Sequence, residues 1–144
     1  VPFVKQLMSL ASKSANDNGQ VRTILGRICH FDLYEPTKWG VHKPLPRDEA
    51  VRKYGSNLKR AFTYKALNKL IQGSAADQTK KAMVEVYKAG ITPHIQVHDE
   101  LNCSCEDMEQ VKQIKEIMEN CIELEVPSKV DPKIGESWGT LKSS

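Results

Sequence analysis

Three adjacent titratable residues, His98, Asp99 and Glu100, interrupt a stretch from Ile91 to Cys105 in which apolar and polar residues alternate. Neighbouring carboxylates repel each other, and a bound divalent cation relieves that repulsion; hard oxygen ligands suit Mg²⁺. Side chains alternate along a strand, so both carboxylates can face one point only where the backbone turns between them. One of the two is therefore expected to be the direct metal ligand. The alternative is a polar hairpin tip with no function.

A second candidate site is a polar face on a predicted helix, where Asn68 and Gln72 lie one turn apart. Amide side chains can reach the acceptors of a DNA minor groove, which are similar for every base pair, and so test duplex shape without reading sequence. Gly73 in the same helix is unfavourable by roughly 1 kcal/mol relative to alanine, which indicates close approach by another backbone or a ligand. The alternative is a solvated polar face with tolerated small residues.

A third candidate is a basic hairpin. Two runs of strand-forming residues, Val21–Ile24 and Ile28–Phe31, flank a tight turn at Leu25–Arg27. Arg22 and Arg27 lie near that turn, where they could hold phosphate groups. Surface hairpins with two arginines are common, so this feature alone favours no function.

The elements that would position these residues combine helices with strands. Apolar residues at intervals of three and four predict one helix over residues 2–18 and a longer one over Ala61–Ala89, ended by Gly19 and Gly90 respectively. The apolar stripe of the longer helix includes Leu67, Leu70, Ile71, Ala75, Met83 and Val86.

Further along the chain, the alternation from Ile91 to Cys105 predicts two strands that meet near Asp99-Glu100. Asp107 is expected to cap another helix, and an extended run is expected over Val126–Val130. The order of elements predicts an α+β fold in which a long helix packs on short antiparallel strands.

Residues 31–60 are the least regular part of the chain. They contain three of the seven prolines, and residues 43–60 hold six Lys or Arg against two acidic residues. We expect a mobile basic loop here, with a short helix over Arg47–Tyr54.

The composition is that of a globular protein: 40% of the 144 residues are hydrophobic and 27% are charged. It excludes a disordered tail or a coiled coil, and no apolar run exceeds three residues, so no membrane-spanning helix is expected. Residues 1–98 hold 16 Lys or Arg and 7 Asp or Glu, whereas residues 99–144 hold 5 and 11. This asymmetry suggests a polyanion-binding surface beside a carboxylate-rich one, or simply two differently charged solvated faces.

Four cysteines without zinc-finger spacing, Cys29, Cys103, Cys105 and Cys121, are expected to be reduced, as in a cytosol-like compartment. Cys103 and Cys105 are predicted to lie on one face of a single strand, a poor geometry for a disulfide. The opening Val1-Pro2-Phe3 has no methionine, and we expect an excised piece of a longer chain.

Three strings occur in a specific order: GQVRTILGR at residues 19–27, KALNKLIQGSAADQTKKAM at 65–83 and IQVHDEL at 95–101. Together they resemble the carboxy-terminal palm of family A DNA polymerases, the class of bacterial DNA polymerase I. The phage and viral versions are the most similar, judged by the divergent connection over residues 31–60. The resemblance covers essentially all of residues 1–144 and implies a partial polymerase palm with an inserted basic loop.

The resemblance implies a role for each acidic-turn residue. Asp99 is similar to the motif C aspartate that binds two catalytic Mg²⁺ ions, and Glu100 to the adjacent carboxylate that supports the site. His98 is similar to the residue beside the primer terminus. The implied reaction joins a dNTP to a primer 3′-hydroxyl in DNA replication and releases pyrophosphate.

The resemblance also implies a DNA-binding surface. Asn68 and Gln72 match helix amides that follow the primer–template minor groove, and Arg27, with Arg22 nearby, belongs to a basic hairpin close to the nucleic acid. The implied partners are primer–template DNA, dNTP and the rest of the polymerase chain, namely the fingers, the thumb and the remaining palm. No membrane is implied, and the expected location is the cytoplasm, that of the host if a phage encodes the protein.

The chain also departs from the family pattern. It contains no Asp-x-Ser-x-Ile-Glu strand, which carries the family's other metal-binding aspartate, and no fingers helix with its Arg, Lys and Tyr. Ile28 follows Gly26-Arg27 where the family frequently has a second arginine. The parent is expected to be a DNA-directed DNA polymerase, and this fragment alone to be inactive.

Two other functions are compatible with parts of the pattern. His98-Asp99 could be the centre of an HD-type metal phosphohydrolase, with His30, His42 and His94 as further ligands, although that class places its ligands mainly on helices. A non-catalytic basic nucleic-acid-binding domain would explain the positive charge and leave the acidic turn unexplained. The phosphohydrolase should hydrolyse nucleotides alone, whereas the binding domain should ignore Mg²⁺.

Overall fold

A computed structural model describes residues 3–143. They belong to two compact units, one ending at Ser74 and the other beginning at Ala75. Helices and short antiparallel strands confirm the predicted α+β class. The helices of the described residues are α1 Phe3–Asp17, α2 Arg47–Tyr54, α3 Ala66–Lys88 and α4 Met108–Asn120. The strands of the same residues are β1 Gln20–Arg22, β2 Ile28–His30, β3 Leu33–Pro36, β4 Leu45–Pro46, β5 Leu58–Arg60, β6 Pro93–Val97, β7 Glu100–Cys103, β8 Lys133–Ile134 and β9 Lys142–Ser143.

The first unit is built around a core of small side chains. Helix α1 confirms the helix predicted over residues 2–18, except that Pro2 lies outside the described residues. Gly19, with φ of +69°, ends α1 as predicted and leads directly into the antiparallel hairpin β1–β2. Ile24 lies in the turn of this hairpin rather than in its first strand. The core residues are Ala11, Ala15, Val21, Phe31 and Ala66, with Cys29, Leu67 and Leu70 packed beside them.

The prediction of a mobile loop over residues 31–60 is wrong. Strand β3 pairs antiparallel with β4 on one side and β5 on the other, and α2 forms where a short helix was predicted. Strands of two to four residues are too short to show alternation in the sequence. Pro46 is tolerated because β4 is an edge strand. Residues 33–60 therefore form a folded platform, called the platform below.

Helix α3 begins at Ala66, five residues later than predicted. The N–H of Ala61 donates to Leu33 O (2.8 Å), which continues the platform sheet, and Phe62 then adopts a left-handed conformation with φ of +61°. One turn of 3₁₀-helix precedes α3, and Gly90 (φ +86°) follows its last residues as predicted. Two residues of the predicted apolar stripe, Ile71 and Ala75, are exposed; the buried positions of α3 are Ala66, Asp77, Thr79, Ala82 and Val86.

The second unit contains the hairpin β6–β7 and helix α4. Asp107 caps α4 as predicted, since its Oδ1 accepts the N–H groups of Glu109 (3.0 Å) and Gln110 (2.9 Å). The extended run predicted over Val126–Val130 is not a strand in the structure. Instead the N–H of Val130 donates to Glu119 Oε1 on α4 (2.9 Å), so it is bonded to a side chain and not to the backbone carbonyl of a neighbouring strand. Strands β8 and β9 pair further on.

None of the helices within residues 3–143 combines the length and the apolar character needed to cross a membrane.

Candidate functional site

The acidic residues lie at a hairpin turn, as predicted. Strands β6 and β7 are antiparallel, and their last paired residues are Val97 and Glu100. His98 and Asp99 are therefore the two central residues of the turn. The helical placement that an HD-type phosphohydrolase would favour is absent here, since both residues lie between strands.

The backbone of this turn is fixed by its own residues. His98 has φ of +53°, in the left-handed region, where histidine is enriched relative to most non-glycine residues. The side-chain amide of Gln96, in strand β6, donates to His98 O in the turn at 2.6 Å and so links the strand to the turn. The turn thus holds Asp99 at the tip of the hairpin without a glycine.

The acidic turn is open to solvent. His98, Asp99 and Glu100 are all exposed. Neither carboxylate forms a salt bridge or a side-chain hydrogen bond with the part of the chain that the structure describes. Two adjacent unpaired carboxylates repel each other and favour a cation. Their oxygen atoms are therefore free to act as ligands.

The carboxylate oxygens of Asp99 and Glu100 are suitable ligands for Mg²⁺, because this ion is bound through one or two carboxylates together with water and substrate phosphates. Within residues 3–143, however, no three His, Cys, Asp or Glu side chains come together in a group that could hold a metal ion. Asp99 and Glu100 thus supply part of a metal site, and a further carboxylate ligand would have to come from outside residues 3–143.

The basic hairpin β1–β2 is bonded to the first half of α3. The N–H of Ile24 donates to Ser74 Oγ (3.0 Å), and that hydroxyl donates to Leu70 O (2.7 Å). Arg27 Nη2 donates to Gly73 O (2.8 Å). The hairpin tip is therefore attached to one turn of the helix by two side chains. Arg27 thus makes a structural bond that was not predicted, and its phosphate contact stays a prediction.

The amides predicted to face a DNA minor groove are exposed, as expected. Asn68 and Gln72 lie one turn apart on α3, and Ile71 beside them is also exposed. Lys69, the residue after Asn68, reaches the hairpin: its Nζ donates to His30 O (3.3 Å) and lies 4.4 Å from the Phe31 ring centroid. The hairpin thus packs against α3 and leaves the amide face free.

Two residues that join hairpin and helix, Thr23 and Ser74, were missed from the sequence. A Cβ at Gly73 would lie 2.7 Å from Thr23 Cγ2, so the close approach predicted at Gly73 is made by side chains of the hairpin. Thr23 is buried, and its Oγ1 accepts the N–H of Arg27 (3.1 Å). Ser74 accepts the N–H of Ile24. The adjacent small residues Gly73-Ser74 in a helix were the available signal for this contact.

The four cysteines are free thiols. Burial raises the pKa of Cys103 above its usual value, and the nearby Cys105 thiol raises it further. Burial also raises the pKa of Cys121. Strand β7 ends at Cys103, so Cys105 lies beyond the strand and the predicted shared strand face is wrong. Thiols with a raised pKa remain protonated and poorly nucleophilic near neutral pH, which argues against a role in catalysis.

The second unit thus carries an exposed acidic hairpin turn, and the first unit carries a basic hairpin bonded to a helix with an exposed amide face; each is a candidate nucleic-acid contact in its own unit. Comparison with known proteins assigns the chain to a family: the family model for DNA polymerase family A matches residues 1–140. The chain belongs to DNA polymerase family A.

Individual relatives agree with this assignment. A DNA-directed DNA polymerase from Pseudomonas phage M6 is 42% identical over 96% of this chain, and DNA polymerase I from Caldicellulosiruptor bescii is 35% identical over 98%. The chain is also similar to the POL domain of Pol1 from M. smegmatis, solved in complex with DNA primer-template and dNTP. That similarity covers 86% of the chain at 30% identity, with a TM-score of 0.60. The chain spans 18% and 16% of the first two proteins and 20% of the third.

Proposed function

We propose that this chain is the carboxy-terminal palm part of a DNA-directed DNA polymerase, which transfers a nucleotide from a dNTP to a primer 3′-hydroxyl in DNA replication. The observation that carries the proposal is the exposed, unpaired acidic turn of Asp99 and Glu100, in a chain of DNA polymerase family A. Phosphoryl transfer depends on charge stabilisation and positioning, and an open acidic turn suits both.

In this proposal Asp99 holds magnesium, and Glu100 supports it from the next position. When bound, the ions supply activation of the attacking oxygen and neutralisation of the phosphate charge. Asp99 would supply one carboxylate ligand from the tip of the hairpin, whose backbone is held by strand pairing and by the Gln96 bond. A second carboxylate ligand would come from elsewhere in the parent polymerase. His98, exposed beside Asp99, would lie next to the primer terminus.

The DNA-binding roles are proposed for the exposed polar residues of the first unit. Asn68 and Gln72 would donate to minor-groove acceptors, which are present in every base pair and therefore allow binding without sequence preference. Arg22 and Arg27 are exposed and would contact phosphates, Arg27 while it also holds the hairpin on α3. The solved relative is in complex with DNA primer-template and dNTP, which supports the same kinds of partner for this chain.

The rest of the polymerase is the remaining proposed partner. Helix α1 exposes a run of large apolar side chains, Phe3, Val4, Leu7, Met8 and Leu10. Exposed apolar groups of this kind mark surfaces that another part of a protein covers. We place the parent polymerase in the cytoplasm, that of the host if a phage encodes it, since template DNA is found there.

The test is Asp99→Asn in the complete polymerase. The change keeps the side-chain shape and removes one negative charge from the metal site. Charge stabilisation by a bound metal lowers the free energy of the transition state by several kcal/mol, so its loss should reduce kcat by roughly 100-fold or more. Affinity for primer–template should change little, because the lost interaction acts mainly in the transition state. Primer extension and filter binding measure the two quantities.

The matched control is Asp131→Asn, which removes the same charge from an exposed aspartate of the same unit. It should extend primers at the wild-type rate. Near-normal extension by Asp99→Asn would remove Asp99 from the active site and the proposed function would lose its main support.

A further inference from the structure

The platform carries an exposed aromatic residue on a strongly basic segment. Trp39 and Val41 are fully exposed, in the connection between strands β3 and β4. Residues 37–60 contain seven Lys or Arg and two acidic residues. Residues 37–43 are called the Trp39 tip below. Exposed tryptophans are uncommon on surfaces without a binding function, since they bury a large apolar area when they find a partner.

The base of the Trp39 tip is ordered. The ring of His42 packs edge-on against Tyr54 of α2, with 5.7 Å between centroids, and the Tyr54 hydroxyl donates to Lys43 O (3.1 Å). Gly40 has φ of +148°, and a Cβ there would come within 3.0 Å of His42 Nε2. The tip is therefore fixed to the platform at its base, while Trp39 itself projects into solvent.

The Trp39 tip also carries exposed lysines. Lys38 and Lys43 are both exposed, one directly before Trp39 and one at the base of the tip. A shallow cavity beside Trp39 is lined by Lys38, His42 and Lys59, among others. Lys59 is partly neutralised by Glu35, whose Oε1 lies 3.4 Å from its Nζ. Lys38 and Lys43 form no salt bridge with the described part of the chain.

We infer that the Trp39 tip binds single-stranded DNA, with a nucleobase stacked on the Trp39 indole and neighbouring phosphates held by Lys38 and Lys43. An aromatic ring interleaved with lysines is the arrangement that single-strand binding requires, because every base presents a π-face and every linkage a negative charge. Paired bases inside a duplex are already stacked and cannot offer that face. This inference goes beyond the proposed function, as it assigns a DNA contact to residues of the platform, to which the proposed function gives no role.

The experiment measures binding of fluorescently labelled oligothymidylate of about ten nucleotides, a length within the range that one binding fold covers. Base stacking on an aromatic side chain implies that Trp39→Ala raises Kd by roughly 5- to 150-fold. Trp39→Phe should recover most of the affinity, since it restores a stacking surface. Trp138→Ala is the matched control, because Trp138 is exposed in the other unit, and it should bind like the wild type.

The salt dependence tests the lysines. Each phosphate contact contributes about 0.7 to the slope of log K against log salt for single strands, so Lys38→Gln and Lys43→Gln should each reduce the slope by about that amount. Lys112→Gln, which removes a lysine paired with Glu109 (3.6 Å), should leave the slope unchanged. Far-UV circular dichroism verifies that each variant is folded.

Equal oligothymidylate affinity of Trp39→Ala and wild type would overturn the inference. So would a Trp39-dependent affinity for phosphatidylserine vesicles, or a Trp39-dependent self-association, in the absence of oligothymidylate binding. If the complete polymerase extends primers but Trp39→Ala binds oligothymidylate as well as the wild type does, only this inference is contradicted. If oligothymidylate binding depends on Trp39 but the complete polymerase extends no primer, only the proposed function is contradicted.

Discussion

Asp107 affects both the start of helix α4 and the thiol of Cys105. Its carboxylate caps α4 by accepting two backbone N–H groups. Burial, and after it the negative charge of Asp107, raises the pKa of the Cys105 thiol. The two effects can be separated, because asparagine caps helices about as well as aspartate but carries no charge.

We predict that Asp107→Asn accelerates alkylation of Cys105. Removing the charge lowers the pKa of Cys105 toward its usual value, and at a pH below that pKa a lower pKa means more thiolate, the reactive form. Iodoacetamide labelling at pH 8, followed by peptide mass spectrometry, measures the rate. Thermal stability should be unchanged, whereas Asp107→Ala should lose about 1 kcal/mol with the cap. An unchanged or slower rate in Asp107→Asn would show that its charge does not reach Cys105.

The contact between the β1–β2 hairpin and α3 is the clearest case of an element positioned by small residues. Gly73 costs the helix roughly 1 kcal/mol in propensity, yet it allows Thr23 and Arg27 to approach the helix backbone. Ser74 adds a bond to the tip of the hairpin. The packing side of α3 is fixed in this way, and the face with Asn68 and Gln72 is left to solvent.

We predict that Gly73→Ala destabilises the protein by about 1 kcal/mol, although alanine is the better helix former. The new methyl would lie 2.7 Å from Thr23 Cγ2, and Thr23 is buried and stiff, so the loss by overpacking exceeds the gain in propensity. Thr23→Ser removes that methyl and keeps the hydroxyl that accepts from Arg27. In urea unfolding, the double variant should therefore lose at least about 0.5 kcal/mol less than the sum of the single variants. Strict additivity would mean that the two groups do not meet.

Elements with strong local signals could be predicted from the sequence. Gly19, Gly90 and Asp107 marked helix ends correctly, and alternation around Asp99 located the acidic hairpin. Helix α2 of the platform was predicted, but its strands were not, because they are too short to show alternation in the sequence and they pair with residues distant in sequence.

The start of α3 and the bond of Arg27 were missed for the same reason. The N–H of Ala61 donates to Leu33, and Arg27 donates to Gly73, 46 residues away. Neither partner can be identified from local propensity. The hairpin turn at Asp99 and the exposure of Asn68 and Gln72 could therefore be predicted, whereas the structural bond of Arg27 could not, and the functional roles of these residues stay predictions.

At the scale of the whole molecule, the buried interior is small. Among the residues that the structure describes, Val86 is the large side chain that is fully buried, and the core of the first unit is made chiefly of alanines. Large apolar residues on α1 remain exposed. The chain spans less than a fifth of the two named polymerase relatives. These facts agree with the proposal that this chain is one part of a larger polymerase.

We predict that the 144-residue chain extends no primer by itself. Two-metal phosphoryl transfer requires ions about 3.5–4 Å apart, held between carboxylates from different segments. Asp99 and Glu100 are adjacent at one turn, and no three potential ligands cluster within residues 3–143, so an ion held there should be weakly bound and hydrated. Primer extension with Mg²⁺ or Mn²⁺, and the complete polymerase as positive control, measures this directly. Extension by the isolated chain that Asp99→Asn abolishes would mean that residues outside the described set complete the site within this chain. Extension that survives Asp99→Asn would indicate a contaminating polymerase or a different active site.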